Sequence, residues 1–114
     1  MIEDAVQRLR RLCSGPRDGA LLRFALGSAL LDAGSAAEAA VELRRAVEFD
    51  PNYSAAWKLL GRSLVEAGDP VQARRAWSDG IAAAQRAGDV QARKEMQVFV
   101  KRLDKNQGGN AQRD

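Results

Sequence analysis

The sequence contains no histidine, no threonine, a single cysteine and only 5% aromatic residues among its 114 positions. Without histidine the chain lacks the commonest general base, the usual partner of a serine or cysteine nucleophile, and the nitrogen ligand of most catalytic zinc sites. One cysteine, Cys13, makes neither an intrachain disulfide nor a cysteine-rich metal cage, so a packed apolar core has to hold the fold. No stretch approaches the ~18 consecutive apolar residues of a spanning helix. Met1-Ile2-Glu3-Asp4 is acidic with no apolar run behind it, unlike a signal peptide, and a soluble cytoplasmic chain is the expectation. β-Branched residues are scarce as well: ten Val plus Ile stand against 21 Ala, a balance that favours an all-α fold. The net charge of +3 is too modest to imply nucleic acid by itself.

What is present is a repeat. Residues 20–53 align without gaps on residues 54–87, with six identities at an offset of 34: Leu26/Leu60, Gly27/Gly61, Leu30/Leu64, Ala33/Ala67, Gly34/Gly68 and Ala39/Ala73. Leu43/Trp77 and Val47/Ile81 keep bulky apolar character, and Ala5 and Leu9 sit one period before Ala39 and Leu43, implying an N-terminal half-repeat. Apolar residues recur at three-and-four spacing on either side of a glycine and a capping signal, so each unit reads as two helices. Ser35-Ala36-Ala37-Glu38 has the form of a capping box, and Asp69-Pro70 places an acid at the cap and proline at the first helical position. Gly34 and Gly68 supply residues able to take a left-handed backbone and stop the helix before them.

The expected helices run over about residues 2–13, 19–33, 36–49, 53–67 and 70–86, with a break at Pro51. A sixth begins after Gly88, capped by Asp89, with Ala92, Met96, Phe99, Val100 and Leu103 as one apolar stripe. The organisation is a half-repeat at 1–19, units at 20–53 and 54–87, a capping helix at 88–105, and a disordered tail at 106–114 that contains Gly108-Gly109 and only Ala111 as an apolar residue.

The motifs carry a resemblance. Trp57-x2-Leu60-Gly61-x2-Leu64 with Ala73-x3-Trp77, and Leu26-Gly27-x2-Leu30 with Ala39-x3-Leu43, Ala46 and Pro51, resemble the tetratricopeptide repeat family. The resemblance implies antiparallel helix-turn-helix units stacked as a short right-handed superhelix. Gly80 and Gln85 depart from the pattern in the second unit, where alanine and proline are expected, and Lys94-Glu95 stands where a third unit would carry Leu-Gly. The sixth helix therefore reads as a cap over the open end of the array.

In that family the first helices of successive units line a concave groove that holds a peptide of a partner protein. The corresponding positions here are Leu21, Phe24, Ser28, Leu31 and Asp32 in the first unit and Ala55, Lys58, Arg62, Val65 and Glu66 in the second. Lys58 and Arg62 lie one turn apart and point two cations at one volume, suited to a carboxylate or phosphate, or form a solvated face with Glu66. They match only the first pair of the carboxylate clamp of chaperone-binding members, since Phe24 and Ser28 on one side and Ala92 and Met96 on the other offer no equivalent donors. Leu21, Phe24 and Leu31 give the groove an apolar side or pack on the N-terminal helix. Cys13 beside Arg10 and Arg11 reads as a small buried hydrophobe, or as a reactive thiol if the arginines lower its pKa.

The pairs Arg10-Arg11, Arg44-Arg45 and Arg74-Arg75 lie on second helices without interleaved aromatics and read as a solvated convex face. The expectation is a non-catalytic interaction module, scaffold or co-chaperone-like, without cofactor or metal, monomeric or weakly dimeric. The alternatives are a nucleic-acid-associated protein using the arginine pairs and a homo-oligomerisation module using the last helix.

Overall fold

The structure, a computed structural model, describes residues 4–112. Among them are six helices and no strand: α1 (Ala5–Cys13), α2 (Ala20–Asp32), α3 (Ala36–Phe49), α4 (Ser54–Glu66), α5 (Pro70–Ala87) and α6 (Val90–Gln112). The part of the first expected helix at residues 2–3 lies outside the described residues. Antiparallel hairpins α2/α3 and α4/α5 form the middle of the stack, α1 covers α2, and α6 packs on α5 while also reaching α4. First helices α2, α4 and α6 meet in turn along one side, whereas the backbones of α3 and α5 stay apart. The result is an elongated slab of 50 × 33 × 18 Å.

The local signals act largely as their chemistry dictates. Gly34 and Gly68 adopt φ of +84° and +85°, and the chain reverses there into the second helix of each hairpin. The Asp69 carboxylate accepts from the Gln72 amide at 3.1 Å and the Asp89 carboxylate from the Ala92 amide at 3.0 Å, each satisfying one of the orphan donors of a helix start. The expected capping box at Ser35 does not form. Ser35 makes no side-chain cap bond, and Glu38 instead pairs with Arg10 of α1 at 2.6 Å, a tertiary ion pair taking the carboxylate that the cap would have used. The expected tail from residue 106 is also corrected over 106–112. The backbone continues α6 as far as Gln112, since extending an existing helix adds one hydrogen bond per residue fixed; residues 113–114 lie outside the described residues.

The core is alanine-rich because the helices approach closely. Leu26, Leu43, Leu60 and Met96 are sealed from solvent, each contributing about 1.5–3 kcal/mol by burial, and Ala39, Ala46, Ala56, Ala73, Ala83 and Ala84 are fully buried between them. A Cβ at Gly27 would meet Leu43 Cγ at 2.5 Å, and one at Gly61 would fall within the indole of Trp77. Trp77 is held there by its Nε1–H, which donates to the Lys58 carbonyl at 3.0 Å. Gly80, a departure from the repeat pattern, has its own reason: a Cβ there would meet Met96 Sδ at 2.5 Å and Trp57 Cβ at 2.7 Å. The missing methyl lets α6 seat its methionine against the second hairpin.

Polar ties brace the turns. Arg23 donates from Nε and Nη2 to both Asp18 oxygens at 2.7 and 2.8 Å and from Nη1 to Glu42 at 2.6 Å, joining the α1–α2 turn to α3; Glu42 is only 8% exposed. Ser54 Oγ donates to Asp89 at 2.7 Å, Arg86 Nε to Asn52 at 2.9 Å, and Trp57 Nε1 to the Pro51 carbonyl at 2.8 Å. Arg74 forks onto both oxygens of Asp104 at 2.7 and 3.0 Å, fastening the far part of α6 to α5.

Gly61→Ala is expected to lower stability by about 1–3 kcal/mol, read from the urea midpoint. In a Trp77→Ala background the added cost should shrink toward zero, and an undiminished cost there would place the strain elsewhere.

A second expectation concerns acid. The Arg23 hydrogen bonds hold the Asp18 carboxyl below its ordinary pKa, the Ser54 hydroxyl and then the Ala92 amide do so for Asp89, and Arg74 does so for Asp104. With folded pKa values below the unfolded ones, the stabilisation is complete above about pH 4 and is lost as pH falls through the folded values. Thermal unfolding followed from neutral to acid pH should show that descent, less steep in Asp18→Asn with Asp104→Asn. A slope unchanged by the substitutions would assign the acid limb to other carboxylates.

Candidate binding groove

The positions expected to form the concave surface divide into three groups. Leu31 is only 6% exposed and belongs to the core, so it is withdrawn from the groove by packing. Phe24 is half-buried with its ring 5.0 Å from that of Tyr53, the residue that leads into α4. Leu21, 73% exposed, and Asp32 remain at the surface, and Ser28 and Ala55 are half-buried. The first unit therefore presents little recess among these residues.

The second unit does. Lys58, Leu59, Arg62, Val65 and Glu66 of α4 face Trp77 of α5 and Phe99 of α6 around a hollow of about 310 Å³. Its apolar surface comes from Leu59, Val65, Trp77 and Phe99; the two rings lie 5.1 Å apart and tilted by 44°. Both expected cations line it, and both have acid partners: Arg62 Nε binds Glu66 at 3.0 Å along the helix, and Lys58 Nζ binds Glu95 of α6 at 3.2 Å. These pairs are open to water and worth little individually, so a ligand carboxylate would exchange with them at small cost. Beyond Lys58 a second hollow of about 230 Å³ runs between Ala55 and the start of α6, lined by Asp89, Gln91, Ala92 and Glu95. The recess thus follows α4 and α6 on both sides of the Lys58–Glu95 pair.

Trp77 and Phe99 were missing from the expected groove because the repeat motif and the apolar stripe of the last helix assign them to the core, and Leu59 belongs to neither pattern. The signal that would have found Phe99 is its position 34 residues after Val65, one period on from a groove residue. Met96 and Ala92, one period after Arg62 and Lys58, are buried, so α6 offers no basic continuation. The stripe of Ala92, Met96, Phe99, Val100 and Leu103 serves as cap core rather than as an exposed seam.

The remaining candidates resolve similarly. Cys13 is 4% exposed, and desolvation pushes its thiol above the ordinary range despite nearby Arg23 and Arg10, so the buried-hydrophobe reading holds. Of the arginine pairs, Arg10 and Arg74 are committed to Glu38 and Asp104, while Arg44 and Arg45 lie exposed along α3. Among the described residues no group of three or more Cys, Asp or Glu side chains is arranged to hold a metal ion. No described helix is long and apolar enough to cross a membrane.

Helical hairpins one 34-residue period apart, stacked so that first helices share a recessed side, define a helical-repeat protein. The comparisons place it within that class. A tetratricopeptide repeat family model matches residues 30–94. A TPR repeat-containing protein of Pseudomonas aeruginosa is 51% identical over 100 residues, covering 88% of this chain and 95% of the relative. The solution structure of a protein from Bordetella parapertussis is similar with a TM-score of 0.78 at 43% identity, covering 92% and 91% of the two chains. The chain belongs to the tetratricopeptide repeat family, whose members are generally non-enzymatic protein–protein interaction modules.

Cys13 should resist alkylation in the native state, reacting with iodoacetamide far more slowly than an exposed thiol at the same pH and at the ordinary rate once urea unfolds the chain. Rapid native labelling would show that α1 opens from α2.

Proposed function

We propose that the recess between α4 and α6 holds a peptide segment of a partner protein, with an apolar side chain in the hollow above Trp77 and Phe99 and an acidic group against Lys58 and Arg62. The observation that carries this reading is the coincidence of an apolar surface and two basic residues at one recess between first helices. Burial of one aliphatic or aromatic anchor supplies about 1.5–3 kcal/mol, and a flanking carboxylate selects among apolar sequences by charge. Micromolar or weaker affinity is the natural range for one such anchor with one ionic contact.

The ligand class differs from the C-terminal carboxylates taken by chaperone-binding members. Such a clamp needs donors from neighbouring units, and here those positions hold Phe24, Ser28, Ala92 and Met96, the last two buried. An internal segment with an acid next to its apolar anchor fits the donor set better.

Lys58→Glu with Arg62→Glu should weaken capture of the native partner about tenfold or more, equivalent to ~1.4 kcal/mol. Arg44→Glu with Arg45→Glu on α3 should not, and helicity should be equal in both variants. Quantitative pull-down from nuclease-treated lysate, with the captured protein then titrated as a purified ligand, measures this. Equal or inverted effects would remove the groove assignment.

A further inference from the structure

The charge of this protein is unevenly placed. Residues 1–89 hold twelve basic and twelve acidic side chains, and residues 90–114 hold six and three, so the whole net charge of +3 belongs to the C-terminal segment. Within α6 both acids are drawn back onto the hairpin beneath: Glu95 pairs with Lys58 and Asp104 with Arg74. Lys94, Lys101, Arg102 and Lys105 are exposed and have no ion-pair partner among the described residues.

Helical geometry gathers these cations. At 100° per residue Val90, Lys94, Val98, Lys101 and Lys105 fall on one narrow stripe, opposite the buried Ala92 and Met96 and the half-buried Leu103. Val90 and Val98 are 52% and 43% exposed, so two apolar side chains are interleaved with three lysines on the outer side of the stack. Lys94 to Lys105 spans about 17 Å of helix axis.

The repeat register says what kind of body would cover that stripe. Lys94, Val98 and Lys101 stand one period after Leu60 and Leu64 of α4 and Ala67 at its C-terminal cap, and the hairpin partner of α4 is α5. Helix α6 thus occupies the place of a first helix, packed on α5 of the preceding unit, and among the described residues no second helix of its own unit follows it. Where α4 offers leucine, glycine and leucine to its partner, α6 offers lysine, glutamate and valine.

The geometry points to a docking site on the outer face of α6 for an acidic amphipathic helix of a partner protein, seated where the second helix of a third unit would lie. Its apolar positions meet Val90 and Val98, and its carboxylates meet Lys94, Lys101 and Lys105. A helix is favoured over a phosphate backbone because the valines have no use against phosphate and no aromatic residue on the stripe would stack on a base. A second copy is disfavoured by composition. Only α3 carries a net negative charge, and its Glu38 and Glu42 are engaged by Arg10 and Arg23. The site is separate from the α4–α6 recess, and its fate does not depend on that reading.

The test uses the full chain and two fluorescently labelled helical peptides of about 20 residues, long enough to lie along α6. Both carry leucine at three-and-four spacing; one has glutamate at its other positions and one has lysine. Fluorescence anisotropy should show saturable binding of the glutamate peptide only, weakening as salt is raised. Lys94→Glu with Lys101→Glu should reduce that affinity about tenfold or more at unchanged helicity, while Arg44→Glu with Arg45→Glu on α3 leaves it unaltered. Several results would overturn the proposal: no saturable binding of the glutamate peptide, equal binding of both peptides, or sensitivity to the α3 reversal in place of the α6 reversal. Tighter binding of a duplex oligonucleotide, lost with the same α6 reversal, would overturn it in favour of a phosphate-binding surface.

Discussion

The spacing between the two helices of each hairpin is the constraint on which the rest of this structure depends. It is set by a glycine facing a large side chain, Gly27 under Leu43 and Gly61 under Trp77, with no room at either glycine for a methyl group. Close approach lets alanine serve as the core residue, because a small side chain fills the gap that two nearby backbones leave. A chain with 5% aromatic residues can then bury apolar residues on all six helices. Trp77 carries this furthest: its ring covers Gly61, its Nε1–H bonds the Lys58 carbonyl, and its remaining edge meets Phe99. One side chain thereby joins α4, α5 and α6.

The recess along α4 and α6 follows from the same arrangement. Because Trp77 and Phe99 fill the space under the α4–α6 contact without extending to the surface, an apolar hollow remains, bounded by the long side chains of Lys58, Arg62 and Glu66. Of the expected groove residues of the first unit, Phe24 turns onto Tyr53 and Leu31 enters the core. Two units with nearly the same register therefore differ in what they offer a partner. The repeat pattern conserves the packing positions of the hairpin and leaves the outward ones free to diverge.

Polar interactions do a different job from packing. The Asp18–Arg23–Glu42 bridge, Ser54–Asp89 and Arg86–Asn52 all join a turn to a neighbouring helix rather than helix to helix along its length. They set where each hairpin begins, and apolar contact sets how the hairpins lie on one another. Asn52 and Arg86 occupy equivalent positions one period apart, so the stack brings the ends of the two units together.

Helix number, hairpin pairing, the turn glycines and the caps at Asp69 and Asp89 were legible in the sequence, because period, amphipathicity and capping are local properties repeated twice. The Ser35 cap was misread and the Gly80 departure underestimated, because each depends on a residue distant in the chain: Arg10 takes Glu38, and Met96 with Trp57 fills the space at Gly80. The two cations of the recess, the Glu66 partner of Arg62 and the burial of Cys13 were legible by spacing, whereas the Glu95 partner of Lys58, the apolar surface of the recess and the core position of Leu31 were not. The sequence by itself determined which residues are helical and which stripe of each helix is apolar, since both arise from contacts within a few residues along the chain. Only the tertiary structure decided which stripes face each other, which charges are neutralised and where a recess is left, since burial and ion pairing depend on what the next helix brings.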